Sequence, residues 1–285
     1  MKLKIFIVLL AVVLAWVAGR SVKRGGQSIV HSVEQSVQDG GDDDAAPTTT
    51  AAPAGSSERR VNESYELTED AHVEVIGING PVSVEAVDGT TAEVHVTTTA
   101  GSAGDLADNQ IIIEHTDSSL TVRGKGNNGW GFWRWLRGSG SVRHNVVLKV
   151  PRTVGLAVHG TNGRVTVGEM EGAVQVAGVN GRVEIGRTHG GTEISGVNGG
   201  VTLIVTEVGK DGMSVNGING GVEFRLGSNV NADLNFNGVN GSITVEAPNV
   251  EVQEQKRSKL RARVGTGGAD IRANGINGGV RLVGV

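Results

Sequence analysis

The chain has 285 residues and a net charge of −4, so its overall balance gives no footing for nucleic acid. Glycine supplies 45 residues, about twice the usual share, while aromatic residues make up 3%, so any core must be built from Val, Ile, Leu and Ala. Cysteine is absent, which excludes disulfides, thiolate metal sites, a cysteine nucleophile and a lipidated cysteine anchor.

The chain opens with Lys2 and Lys4 followed by an unbroken apolar run from Ile5 to Ala18. That run suits the core of a signal peptide better than a full membrane span, which needs roughly 20 residues. No A-x-A cleavage pattern closes it, and Arg20, Lys23 and Arg24 follow at once. Residues 1–24 are therefore read as a hydrophobic N-terminal helix, either a cleaved signal peptide or a retained membrane anchor. Either way the remainder is exported. Residues 25–64, with "DGGDDDAAPTTTAAPAGSS" at their centre, are too polar and too rich in Pro, Thr and Ala to order themselves. They read as a flexible linker carrying a folded head over residues 65–285.

The head begins with "HVEVIGINGPVSVEA", in which two alternating segments flank the four letters GING. Next comes an interruption, near 124–145. Between Arg123 and Arg152 the chain has seven Lys or Arg and no acid, and "NNGWGFWRWLRGSG" holds three of the four tryptophans. Trp130, Phe132, Trp133 and Trp135 interleaved with Arg134 and Arg137 suit glycan stacking or a membrane interface, where a ring sits at headgroup level. A cover folded over one flank or end of the repeats is the competing reading.

After the interruption G-x-N-G returns. Its copies begin at Gly77, Gly160, Gly178, Gly196, Gly217, Gly238 and Gly275, at intervals of 83, 18, 18, 21, 21 and 37. Each is preceded by a short alternating segment ("AVQVA", "TEIS", "MSVN") and followed by another ("RVEI", "GVTLIV", "GVEFRL"). Alternation is the signature of strands with one buried face. A fixed residue count per strand pair, with the same side chain at every turn, favours stacked coils over a meander of hairpins. In a stack the motif becomes a corner. Glycine supplies a positive φ, the aliphatic x residue plugs the interior, and Asn79, Asn162, Asn180, Asn198, Asn219, Asn240 and Asn277 form a hydrogen-bonded column. Thr161 is the polar exception at x. The expected fold is all-β, a parallel β-solenoid with coils of about 18–21 residues. On this reading Asn180, Asn198, Asn219 and Asn240 follow one another in consecutive steps. The last interval counts as two periods with one motif missing, over "PNVEVQEQKRSKLRARVGTGG".

A membrane-directed N-terminus, an aromatic and basic interruption, and serial G-[VI]-N-G coils flanked by V-x-V together resemble the bacterial "putative adhesin" family, a domain of unknown function also described as head-GIN-like. The resemblance covers residues 65–285. It implies a β-solenoid at the cell envelope and brings no catalytic residues with it.

Catalytic patterns are weak throughout. The seven histidines show no H-x-x-H or H-E-x-x-H spacing, and no G-x-S-x-G or P-loop occurs. Arg164, Arg182 and Glu184 share one face and read as surface ion pairing. "KRSKLRAR" turns Lys259, Arg261 and Arg263 outward, where they either solvate a strand or meet an anionic polymer. The expectation is a non-catalytic envelope protein with a structural, adhesive or ligand-binding role, without cofactor or metal. Its partners would be a membrane surface, an envelope glycan or envelope proteins. The alternatives are a carbohydrate-active β-helix enzyme and a partner in envelope-stress signalling.

Overall fold

The computed structural model describes residues 57–125 and 142–285. The hydrophobic segment 1–24, the first part of the linker, and Trp130, Phe132, Trp133, Arg134, Trp135 and Arg137 lie outside the described residues.

The repeat builds two sheets at once. In every copy the strand before G-x-N-G lies in one sheet and the strand after it lies in the other. β2 (His72–Ile76) and β3 (Val82–Val87) flank the first copy. β8 (Gly155–His159) and β9 (Val165–Val167) flank the second, β10 (Val174–Ala177) and β11 (Val183–Ile185) the third. Then come β12 (Thr192–Asn198) with β13 (Val201–Val205), and β14 (Met213–Asn219) with β15 (Val222–Leu226). Each strand pairs in parallel with its equivalent one copy away: Val176 lies opposite Val158 and Ile194, and Ile185 opposite Val167 and Leu203. Neighbours in sequence such as β9 and β10 are in different sheets and do not pair, so the copies are not hairpins.

The inward residues of both sheets meet in one aliphatic core that runs through the stack. Two aromatic side chains, Phe224 and Phe236, are among the largest that are fully buried. Most of the rest of that interior is Val, Ile, Leu and Ala, in keeping with the scarcity of rings in the chain.

Both ends depart from simple repetition. At the first end the chain runs from β3 into β4 (Thr91–Ala100), crosses on the short helix α1 (Ala103–Asp108) and returns as β5 (Ile111–Thr116). Only then does it lay down β6 (Ser119–Gly124) and β7 (Arg143–Pro151). β6 enters between β2 and β5, and β7 enters between β3 and β4, each parallel to its inner neighbour and antiparallel to its outer one. The interval of 83 thus holds two antiparallel cap strands and one coil. β1 (Ser57–Glu66) closes the sheet outside β4. It begins inside the segment 25–64 read as linker. Its charged letters hide an alternation that sets Val61 and Tyr65 against the core.

At the other end β16 (Ala232–Val239) and β17 (Ile243–Val245) flank the Gly238 copy, but they do not sit on β14 and β15. A hairpin follows, β18 (Val250–Lys256) and β19 (Lys259–Val264), with β19 antiparallel to β16. The final coil, β20 (Ala269–Ile276) and β21 (Val280–Gly284), then fills the slot left open: β20 between β14 and β16, β21 between β15 and β17. Two sequence expectations are corrected here. The apparent missing period is an antiparallel cap, because "EVQEQKRSKLRAR" has no glycine pair to make a corner. Asn240 follows Asn277 rather than Asn219 in space.

Candidate functional site

The corner begins with backbone demands. The first glycine of every copy has φ between 62° and 66°, the left-handed region that glycine enters without a steric penalty. The last glycine answers to proximity. A Cβ on Gly199 would lie 2.1 Å from the carbonyl oxygen of Gly181 in the coil beneath, and Gly220, Gly278 and Gly241 repeat the clash up the stack. Between them the x residue is buried in all seven copies.

The asparagines stand on the exposed ridge. From Asn162 on, each Nδ2 donates to the Oδ1 of the coil before it: Asn162 to Asn79 at 3.1 Å, Asn180 to Asn162 and Asn198 to Asn180 at 3.0 Å. Asn219 to Asn198 and Asn277 to Asn219 follow at 2.9 Å, and Asn240 to Asn277 at 3.2 Å. A second short amide ladder runs alongside, Asn274 Nδ2 donating to Asn216 Oδ1 at 3.1 Å.

At its first end the ridge meets the described residues on either side of the aromatic insertion. Ile76 lies opposite Arg123, so Gly124 falls on Gly77, and its Cβ would be 2.7 Å from the Gly77 carbonyl oxygen. Val82 lies opposite Val146, which brings Val142, Arg143 and His144 onto Ile78, Asn79 and Gly80. Residues 125–141 therefore stand in the chain where every G-x-N-G copy crosses between the sheets, although Gly124 lacks the positive φ of a first glycine. Val142 is buried against Ala100 and Leu106 rather than in the main core that holds the x residues, and Asn79 Nδ2 donates to its carbonyl oxygen at 2.6 Å instead of to another amide. This crossing was hidden from sequence reading because residues 125–141 separate its two sides and because Arg143 and His144 stand where Asn and Gly stand in the copies.

His144 has one side-chain partner, the Thr98 hydroxyl, 2.9 Å from Nδ1, and is 6% exposed. Burial pulls its pKa down to about 4. Beyond it Tyr65 of β1 stacks on His115 of β5 at 4.6 Å and closes the space between the sheets. Burial, together with a hydrogen bond to Glu63, holds the Tyr65 phenol protonated.

The outer faces carry paired charges. Across β1, β4 and β7 run Asn62, His95, Glu93 and Lys149, with Glu93 2.9 Å from Lys149 and 3.1 Å from His95. The Lys149 and His95 hydrogen bonds hold the Glu93 carboxyl below its usual range. Arg164 lies 3.9 Å from Glu184. In the basic row Lys259 and Lys256 share Glu254, whose pKa their hydrogen bonds lower to about 2, while Arg263 faces Asp233 at 3.5 Å. That neutralisation favours a solvated strand over an anion-binding row. A shallow cleft of about 480 Å³ on one outer face is lined by Arg187, Ile204, Arg225 and polar neighbours, with no carboxylate side chain among its lining residues. Among the described residues no cluster of three metal-ligating side chains occurs, and no helix is long and apolar enough to cross a membrane.

No family model matches the chain, and no curated protein does. Solved structures with a similar course include one described as a putative cell adhesion protein from Clostridium sporogenes, 11% identical, covering 80% of this chain and all of that one, with a TM-score of 0.34. Another, described as a putative adhesin from Bacteroides fragilis, is 11% identical over 80% of this chain and 98% of that one, TM-score 0.31. A third, described as a putative lipid binding protein from Parabacteroides distasonis, is 11% identical over 79% of this chain and 96% of that one, TM-score 0.29.

Proposed function

We propose that the protein is an exported, non-catalytic two-faced parallel β-solenoid of the cell envelope, held on a flexible linker, and that its contact surface is the aromatic and basic insertion. The observation that carries this reading is the point of insertion. Residues 125–141 join β6 to β7 between Gly124, which falls on Gly77, and Val142, at the end of a continuous amide ridge. All seven G-x-N-G copies make the same crossing between the sheets with no added residue. A rigid stack supporting one long segment of rings and guanidinium groups is a scaffold with a single elaborated loop. The chemistry of that loop fits an anionic membrane surface or an envelope glycan: indole and phenyl faces stack or insert, and Arg134 and Arg137 meet phosphate or carboxylate.

The double substitution Trp133→Ser/Trp135→Ser tests it. Binding to vesicles containing anionic lipid, or to isolated cell-wall glycan, falls at least tenfold while the melting temperature holds. A loss of stability by several degrees with no loss of binding would make the segment a cover instead.

A further inference from the structure

The last coil does not lie where its place in the chain would put it. The chain passes the slot between β14–β15 and β16–β17, builds the outer coil and its hairpin cap, and returns to fill the slot with β20–β21. Three features bear on how firmly that coil belongs to its own chain. Its only covalent tie to the cap is the four residues Gly265–Gly268, where Gly265, Gly267 and Gly268 have φ of 57°, 81° and 155°. Its packing leaves the two flanking coils joined without it: Phe224 of β15 and Phe236 of β16 stack at 5.4 Å across the layer occupied by the small side chain of Ala273. Its columns are chemically interchangeable with those beside it. Ile276 lies between Ile218 and Val239, Asn274 between Asn216 and Asn237, and Asn277 between Asn219 and Asn240.

An opened slot also has a way to close. The interval from Gly217 to Gly238 is 21 residues, the same as from Gly196 to Gly217, whose coils stack directly. The outer coil can therefore descend one step onto β14–β15, setting Asn240 on Asn219, Val239 on Ile218 and Ile243 on Val222. Such a closed form offsets part of the cost of releasing the last coil.

We propose that Ala269–Gly284 is an exchangeable coil whose second acceptor is the same slot in another copy of this chain. Reciprocal exchange rebuilds every pairing of β20 and β21 and changes only the glycine tie, which is the condition under which swapping costs least. The partner is a second copy because its slot presents the same two walls, Val215, Asn216 and Ile218 on one side and Phe236, Asn237 and Val239 on the other, to the same coil.

The chain has no cysteine, so introduced thiols report alone. Full-length chains carrying Asn219→Cys or Asn277→Cys are mixed, held in partially denaturing urea, returned to buffer and treated with oxidised glutathione. Exchange yields a covalent heterodimer linked 219–277, identified by mass spectrometry, in a fraction that rises with concentration. The chain carrying both substitutions, oxidised before the urea step, is locked and stays monomeric by size-exclusion chromatography. If Asn219→Cys does not fold, Asn240→Cys replaces it, since Asn240 flanks Asn277 on the other side. The proposal is overturned if the 219–277 linkage is no more frequent than one between Asn277→Cys and Asn162→Cys chains, or if the internal lock leaves dimer formation unchanged.

Discussion

At the scale of single residues the four letters of the corner do different work, and substitutions separate them. Asn198 is exposed and makes two ladder bonds that water can replace, so Asn198→Ala costs only about 1 kcal/mol in a denaturant titration. Gly199→Ala forces a Cβ onto a backbone oxygen that no rotamer can move, and costs about 3 kcal/mol or more. Equal effects would show that ladder and close approach matter alike. Thr161 fills the plug position with a hydroxyl that is fully buried and has no hydrogen-bond partner among the described residues. Thr161→Val removes the desolvated group and keeps the branched shape, raising stability by about 1 kcal/mol. A melting temperature that falls instead would mean that the hydroxyl is satisfied in solution. His144 titrates against the fold. Its unfolded form takes a proton near pH 6.5 and its folded form only near pH 4. Its contribution is therefore intact above pH 6.5 and is lost as pH falls toward 4, a loss of about 3 kcal/mol. In His144→Gln the stability profile over that window flattens; an unchanged slope would assign the acid sensitivity elsewhere.

At the scale of elements the ends explain the choice of residues. A parallel stack has four open sheet edges, and each invites another chain. Here the edges are β1 and β17 in one sheet and β5 and β18 in the other. β17 is only three residues long, and β18 carries Glu251, Gln253, Gln255 and Lys256 on exposed positions. Gln255 of β18 donates to the Ile243 carbonyl of β17 at 3.1 Å, tying the two sheets together across the end. The Phe224–Phe236 pair binds the outer coil to the inner one through the slot. A double-mutant cycle with Leu at each position gives a coupling of about 1 kcal/mol, and a coupling near zero would remove the pair from the account of why the slot persists.

At the scale of the whole molecule, chain order and spatial order disagree at both ends, and this sets the folding mechanism. The middle coils need only near neighbours and can form in sequence. The coil of β6 and β7 and that of β20 and β21 must enter between strands already laid down. Their pairings close long loops before contacts repay the entropy. Pulse-labelled hydrogen exchange during refolding should therefore show amides of β10 to β13 protected first and those of β7 and β20 last. Protection spreading evenly from one terminus to the other would contradict the insertion order.

Much of this was legible in the chain itself. Alternation gave inward and outward faces because one side of each strand meets aliphatic core and the other meets water, a constraint local to a few residues. The recurring glycine and asparagine gave the corners for the same reason: a positive φ and a close approach leave few residues that fit. The crossing from Gly124 to Val142, Arg143 and His144 was not legible, since residues 125–141 separate its two sides and it carries no G-x-N-G. Nor was the position of the last coil. Val215, Ala273 and Phe236 occupy one column, and aliphatic pattern alone cannot say which of two matching coils lies against β14. That choice depends on what the caps leave open and on the fit of Phe224 to Phe236 over Ala273, contacts between residues far apart in sequence. Local chemistry determined what each coil looks like; only tertiary packing decided the order in which they stack.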